Sequence, residues 1–372
     1  MANESVVLDG DPFHFNYDGV NNTGLWAIRR VPYMLKRIVD LWRPAFPPGT
    51  PFGRNGRVRP VYAAQIVNFG GVSDGVKYME AVWGPAPLAS TFHALSGAPY
   101  APIGPAAASP ALTPQQVLDG WGASVAAVTI SSAGVGGTNY VAPFAALAGF
   151  HGLELLAYEG GVDTVEGINA GPPLWAKANA SADPRVAGIV GALLAAWAEH
   201  GGMVGAFNWF SLGAGVLQNP FGIYDVLVDM RVLSSAKLDG LRAFRAAPPV
   251  PPSPALPALP CLLNASLYAG NPTGAAIWFP SPNSSFLYLV NGGAGSAGVG
   301  FTLHAGNAGG VGVEVEVSVG AGARARVACP PTGGWASPQP CARAQLPFAA
   351  GVNVFGIKFV AGFAAVTEVV LI

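Results

Sequence analysis

The chain has 372 residues, of which 51% are apolar and 10% are charged, with a net charge of −1. That length suits two domains of about 150 residues each and allows a sizeable core. The near-neutral charge, with no Lys/Arg run, argues against a nucleic-acid partner, because phosphates need clustered cations. No window of about 18 uncharged apolar residues predicts a membrane span.

Residues 1–246 alternate β-type and helical segments. The helix that begins at Thr113 has an N-cap threonine, a proline at its first position and Gln116 at the capping-box position. In chain order, strands are predicted in 57–67, 91–100, 153–158 and 203–210, and helices in 75–83, from 113, from 184 and in 237–244. Repeated β–α–β alternation predicts a parallel sheet covered by helices.

The proline-rich segment APPVPPSPALPALP, residues 247–260, predicts an extended spacer. After it, FLYLV, VGVEVEVSV, ARARVA and NVFGIKFV have a period of two and lie between Gly- and Asn-rich turns. Such short alternating strands predict an antiparallel β-sandwich of jelly-roll type. The predicted organisation is an α/β domain over 1–246, a linker over 247–260 and an all-β domain over 261–372.

Three cysteines, Cys261, Cys329 and Cys341, all lie in the last third of the chain. They are either three inert thiols in a reducing compartment, or Cys329 pairs with Cys341 and leaves Cys261 unpaired. N-glycosylation triplets favour a secreted or cell-surface protein, although no signal peptide is visible. These triplets begin at Asn3, Asn21, Asn179, Asn264 and Asn283.

Glu159 ends an apolar run, LLAYEGG, in a chain with few charges. The C-terminal end of a parallel strand is where barrel enzymes place working residues, and the following glycines let the backbone turn sharply. Glu4, in ANES, is a second acid in a comparable place, and a retaining glycosidase needs two carboxylates about 5 Å apart. The alternative is that Glu159 is a solvated loop acid. Asp163 and Asp225 rank below this pair.

Residues 1–245 resemble the second half, strands four to eight, of a clan A glycoside hydrolase (β/α)8 TIM barrel. Those enzymes place an Asn-Glu pair after the fourth strand and a Glu after the seventh, which Asn3-Glu4 and Glu159 match. RPVYAAQ, TFHALSGAPY and MVGAFNWF match the fifth, sixth and eighth strands. Because strands one to three are absent, we expect an N-terminally truncated chain.

This resemblance implies a role for each matched residue. Glu4 is the acid/base, Glu159 the nucleophile and Asn3 a hydrogen-bond partner of the sugar 2-hydroxyl. Tyr100 is placed like the aromatic residue that contacts the nucleophile, and Trp209 like the platform under the sugar. Other chemistries score poorly, since the chain has no G-x-S-x-G elbow, Walker loop or metal-ligand spacing.

The segment PPTGGWASPQPC, residues 330–341, places Trp335 between two cysteines. A tryptophan in a short turn-rich loop either exposes a face on which a sugar ring can stack or folds back onto the sandwich. Residues 264–372 resemble a family 6 carbohydrate-binding module through the run TGGWASPQPCARAQLPFAAGVNVFGIKFVAGFAAVTEVVLI. By that resemblance Trp335 is the stacking tryptophan, and Trp278 or Tyr288 supplies the opposing aromatic face.

This chain departs from the pattern of that family at one position. An Asn that usually precedes the last strand is replaced by Ala in GFAAVTEVVLI. Some members hold a structural calcium ion, and the sequence leaves that open; no other cofactor is predicted. The leading hypothesis is a retaining β-glycoside hydrolase-like barrel with an appended polysaccharide-binding module. The alternative is a non-catalytic carbohydrate-binding or cell-wall-associated protein, with a polysaccharide or oligosaccharide as partner in either case.

Overall fold

A computed structural model describes most of the chain and divides it into two compact units. The first comprises Met1–Phe144, Leu153–Ala198 and Gly202–Val250, and the second Ala145–Gly152, Glu199–Gly201 and Pro251–Ile372. The described residues are 14–17, 19–20, 22–46, 58–83, 88–127, 140–164, 174–207, 235–250, 261–263, 277–278, 285–292, 299–307, 312–331, 334–361 and 365–371.

The helices include three that the sequence analysis did not predict: α1, α4 and α5. The described helices are α1 Thr23–Trp42, α2 Phe69–Trp83, α3 Pro114–Ala126, α4 Val141–Phe150, α5 Leu174–Ala182, α6 Val186–Glu199 and α7 Ala236–Ala246. Short 3-10 helices lie at His14–Asn16, Arg43–Ala45, Ile66–Asn68, Leu88–Ser90 and Pro105–Ala108. Among the described residues, no helix is long and apolar enough to cross a membrane.

The capping box predicted at the start of α3 is confirmed. The Thr113 hydroxyl accepts a hydrogen bond from the Gln116 N–H at 3.3 Å, and the Gln116 side chain accepts one from the Thr113 N–H at 2.9 Å. Pro114 begins the helix, where its missing N–H needs no partner. These local signals fix the start of α3.

The first unit contains a parallel sheet whose strands follow chain order. Its order is β1–β2–β4–β6, and all three neighbouring pairs are parallel. These strands are β1 Val61–Ala63, β2 Ala94–Gly97, β4 Glu154–Ala157 and β6 Gly202–Phe207. Two shorter parallel strands, β3 Tyr100–Ala101 and β5 Gly161–Val162, pair with each other beyond β2 and β4. The predicted parallel sheet is therefore present, and the described strands do not show a complete barrel.

The second unit contains two antiparallel sheets, as the period-two pattern predicted. One has the order β12–β11–β15–β9; the other has the order β13–β10–β16–β7, with β14 on β10 and β8 on β16. The strands are β7 Cys261–Leu263, β8 Ile277–Trp278, β9 Ser285–Asn291, β10 Val299–Asn307, β11 Val313–Val319, β12 Ala323–Cys329, β13 Gly334–Pro340, β14 Ala344–Leu346, β15 Val352–Ala361 and β16 Ala365–Leu371.

Strand β11 shows how the alternating sequence builds this unit. Three of its four valines, at 313, 315 and 317, are buried, with fractional exposures of 2%, 0% and 0%. Glu314 and Glu316, on the other face, form ion pairs with Arg326 and Arg324 of β12 at 3.2 and 2.9 Å. From 313 to 317 one face contributes to an apolar core and the other carries paired charges, as predicted, whereas Ser318, predicted on the wet face, is buried.

Candidate functional site

Two of the predicted site residues, Glu159 and Tyr100, have described side chains. Asn3, Glu4 and Trp209 lie outside the described residues, so the separation between the Glu4 and Glu159 carboxyl groups does too. The structure gives Trp335, Trp278 and Tyr288 as backbone positions in β13, β8 and β9 only. Of the lower-ranked acids, Asp163 is described and Asp225 is not.

Glu159 lies in a β-bulge two residues beyond Ala157, the last residue of β4, so it follows a strand end as predicted, and a short further strand pair lies beyond it. The carbonyl acceptors along β2 and β3 follow one another at intervals of two residues. The N–H donors along β4 and β5 follow at an interval of three residues and then of two. The N–H groups of Tyr158, Gly161 and Asp163 donate to the carbonyls of Gly97, Pro99 and Ala101 at 3.1, 3.2 and 2.8 Å. Glu159 and Gly160 thus occupy the place opposite the single residue Ala98, and pairing resumes in β5.

The bulge depends on a glycine immediately after it. Gly161 has a φ of 137°, in a region that L-residues with a Cβ rarely adopt. An extra residue bends its strand and re-aims the side chains beside it, which is why bulges are frequent next to active sites. The change of direction that the sequence indicated is present as a bend at residues 158–159, and Gly161 serves the bulge beside it.

Tyr100 and Glu159 are joined by a hydrogen bond from the phenol hydroxyl to the carboxylate. Burial, the charge of Glu159 and this hydrogen bond raise the pKa of Tyr100 far above its usual value, with a smaller contribution from the charge of Asp163. Burial, followed by the Glu159 charge, also raises the pKa of Tyr158. Both phenols consequently stay protonated near neutral pH, and Tyr100 remains a donor to the carboxylate.

The aromatic surroundings of Glu159 are compact. Tyr100 is 6% exposed and packs with Ala98, and Tyr158 is half-buried against that pair. Glu159 itself is partly exposed. The carboxylate is thus held from one side by a buried phenol while part of it reaches solvent, an arrangement suited to a nucleophile, a general base or a ligand-binding group.

Helix α3 supports the strand extension that carries the site. Trp121, fully buried, donates its indole N–H to the Asp163 carbonyl at 2.9 Å, and the Ser124 hydroxyl donates to the Pro102 carbonyl at 2.8 Å. A Cβ on Gly120 would collide with the backbone of Ile103. Three residues on one side of α3 therefore contact the chain just beyond β3 and β5, which holds the two strands that follow the bulge.

Sequence reasoning missed Tyr158 and the supporting contacts of α3. Tyr158 precedes Glu159 directly, so its proximity was available from the sequence. The contact between Trp121 and Asp163 spans 42 positions, and no local signal indicates it. Among the described residues, no group of three or more His, Cys, Asp or Glu side chains is arranged to hold a metal ion.

The disulfide predicted as one alternative is present between Cys329 and Cys341, with their Cα atoms 4.4 Å apart. Cys329 ends β12, and Cys341 follows β13 directly. Both side chains are buried, with exposures of 2% and 6%. The bond therefore closes the segment that contains Trp335.

Comparison with known proteins gives structural likenesses to parts of the chain. No family model and no curated protein matches it. A family 6 carbohydrate-binding module from Clostridium stercorarium, in complex with cellobiose, is 15% identical and covers 32% of this chain and 98% of its own, with a TM-score of 0.26. A family 35 module from Cellvibrio japonicus is 15% identical and covers 25% of this chain and 67% of its own, with a TM-score of 0.23.

A glycoside hydrolase is also among the similar structures. The exo-beta-1,3-galactanase from Phanerochaete chrysosporium, with beta-1,3-galactotriose, is 17% identical and covers 30% of this chain and 26% of its own, with a TM-score of 0.24. The similar structures named here are thus carbohydrate-binding modules and a glycoside hydrolase. These likenesses do not show a clan A barrel.

Proposed function

We propose that this chain is a carbohydrate-active protein with a retaining β-glycoside hydrolase-like domain and a polysaccharide-binding sandwich. The observation that carries the proposal is the Glu159 carboxylate, which lies on a bulge and accepts a hydrogen bond from buried Tyr100. Its place beyond the C-terminal end of β4 is where barrel enzymes carry their catalytic groups.

The proposed architecture of the first unit is the second half of a (β/α)8 barrel. Support comes from the parallel sheet, in which chain neighbours are also spatial neighbours. Because β-crossovers are nearly always right-handed, a sheet that advances in one direction receives its connecting helices on one face. That is the arrangement of a barrel wall, whereas a doubly wound sheet reverses its strand order and covers both faces.

In the proposed reaction Glu159 attacks the anomeric carbon while a second acid protonates the leaving oxygen. Water then hydrolyses the glycosyl–enzyme ester with the second acid acting as base. The resemblance assigns that second role to Glu4. Tyr100 would hold one orientation of the nucleophile, and its permanently protonated hydroxyl would keep the carboxylate hydrogen-bonded before the attack.

The test is the conservative substitution E159Q, which removes the charge and preserves the shape. We expect hydrolysis of an aryl β-glycoside to fall about 10⁴-fold or more, as for other catalytic nucleophiles, while sedimentation with insoluble polysaccharide is unchanged. E154Q is the matched control, because Glu154 is a glutamate at the N-terminal end of β4, the end away from Glu159. Equal activity of E159Q and wild type would refute Glu159 as the nucleophile.

The second candidate function is carbohydrate binding without catalysis. It is supported by the sandwich, which has two antiparallel sheets and a disulfide-closed Trp335 segment that does not depend on Glu159. Polysaccharide binding by a wild-type chain that hydrolyses no glycoside would favour this function. A secreted or cell-surface location is proposed for both, because a buried disulfide forms and persists in oxidising compartments.

A further inference from the structure

The disulfide joins the outer strands of the two sheets in the sandwich. β12 is the outermost strand of one sheet and β13 the outermost strand of the other. Cys329 is the last residue of β12, and Cys341 comes directly after β13. A backbone hydrogen bond from the Ala342 N–H to the Ala328 carbonyl, 3.3 Å long, lies beside the disulfide. The two sheets are thus tied together at one edge.

Strand β13 carries a large bulge within the segment that the disulfide closes. Gly334 pairs with Asn307, and Gln339 pairs with Ala305. Positions 335 to 338, which are four residues, therefore span the place of one residue, Gly306, on β10. Trp335 is the first residue of this bulge. It stands on an outer strand, where only one neighbouring strand holds the backbone.

The rest of the sandwich is held by contacts that do not involve the disulfide. β11 pairs with β12 over seven positions, from Val313–Cys329 to Val319–Ala323, and with β15 on its other side. The buried apolar side chains of this unit include Leu287, Val290, Val315, Val317, Val327, Phe348, Phe355 and Ile357. Loss of the disulfide would leave these ladders and this core in place.

We propose that the Cys329–Cys341 disulfide preorganises the Trp335 bulge as the polysaccharide-binding element, and that the sandwich folds without it. The inference rests on the proposed carbohydrate binding. Without the covalent tie, one end of the bulge depends on the short ladder at Gln339 and Pro340. A ligand that stacks on Trp335 would then have to order this segment as it binds, which weakens affinity.

Reduction of the Cys329–Cys341 disulfide would weaken sugar binding in the same way as replacement of the two cysteines. A dithiol reductant supplies two electrons and two protons, the S–S bond breaks, two thiols form on Cys329 and Cys341, and the reductant becomes a disulfide. Because both cysteines are buried, the reaction needs a small reductant or transient opening of this edge. The inference therefore links sugar affinity to the redox state of the surroundings.

The decisive experiment compares the full-length wild-type chain with C329A/C341A by two measurements. Affinity for soluble xylan, mixed-linkage β-glucan and cellohexaose is measured by calorimetry, and backbone amide exchange is followed by mass spectrometry. We expect at least tenfold weaker binding and faster exchange in 334–340, with unchanged protection in β11 and β15. Equal affinity and equal exchange in 334–340 would overturn the inference, and so would loss of protection throughout the sandwich.

Further variants separate this inference from the proposed function. R326A removes an exposed ion pair of β12 without touching the disulfide, and both measurements should stay at wild-type values. W335A should abolish binding, and C329A/C341A should then add no further loss. Wild type reduced with a phosphine is a second form without the disulfide, and it should show the same two changes as C329A/C341A. Absence of wild-type binding would refute the proposed binding function, whereas the exchange measurement decides the local role of the disulfide in every case.

Discussion

In the first unit, the bulge at Glu159 separates β4, which pairs with β2, from β5, which pairs with β3. In the second unit, the bulge at Trp335 lies within β13, the outermost strand of its sheet. The first is held by ladder bonds on both sides, by Tyr100 and by α3. The second also has paired positions before and after it, with β10 as its partner, and the disulfide follows it. The Glu159 bulge is thus supported by side chains of a paired strand segment and of a helix, whereas the Trp335 bulge is followed by a covalent bond.

The largest effect is expected where α3 supports the Glu159 bulge. G120A places a methyl group against the Ile103 backbone, which cannot move without displacing the end of β3, so we expect the free energy of unfolding to fall by about 3 kcal/mol. Chemical denaturation monitored by tryptophan fluorescence measures it. G122A is the matched control, because a Cβ there meets no atom within 4 Å. It should gain about 0.5 kcal/mol from helix propensity, and equal effects of both would disprove the supporting contact.

A pH effect is expected in the second unit. Burial, followed by the positive charges of Arg324 and Lys358, lowers the pKa of His151 from 6.5 to about 3. The unfolded chain therefore binds a proton that the folded chain does not, and stability should be lost as pH falls from about 6.5 towards 3. Between pH 7 and pH 5 we expect a loss on the order of 1–2 kcal/mol, measured by denaturant unfolding. H151Q should remove that part of the pH dependence; an identical pH dependence in H151Q would contradict the assignment.

A smaller change is expected when the phenol–carboxylate bond is removed. Y100F keeps the packing with Ala98 and deletes the donor to Glu159, so we expect about 1 kcal/mol less stability and, if Glu159 is the nucleophile, about tenfold lower kcat with little change in KM. Thermal unfolding and steady-state kinetics test the two parts. Y158F removes the neighbouring hydroxyl and should change kcat less. A Y158F effect as large as that of Y100F would show that the hydrogen bond has no special role.

The smallest effect is expected on the exposed face of β12. Arg326 and Glu314 are 65% and 39% exposed, and an ion pair in that setting contributes less than about 0.5 kcal/mol. R326A should leave the unfolding transition within that range at moderate salt. A larger loss would mean that this outer strand depends on its surface charges, and the disulfide would then have a smaller part in holding the edge.

Local patterns predicted the elements whose cause is local. The capping box at Thr113 and the alternation of β11 follow from residues a few positions apart, and both are present. The Cys329–Cys341 disulfide was one of two alternatives, because spacing alone does not reveal the redox state. Helix α4, VAPFAALAGF, was missed because it is apolar all round and has no polar face to mark its period.

The features that define the candidate site are not local. The bulge at Glu159 is defined by the spacing of N–H donors in 158–163 relative to carbonyl acceptors in 97–101, about 60 positions earlier in the chain. The sequence indicated a strand end, which is present at Ala157, but it did not predict the short strand β5 that follows. The roles of Glu4, Asn3 and Trp209 stay predictions, as those residues lie outside the described part of the chain.

The composition of β13 has a further consequence. Outer strands present a row of free backbone groups to which a strand of another molecule can add. Pro338 and Pro340 have no N–H to offer, and the four-residue bulge interrupts the straight backbone that strand addition requires. If many copies gather on one insoluble polymer, their sandwiches can lie side by side without joining into a continuous sheet. The same edge would thus also protect against aggregation under crowding.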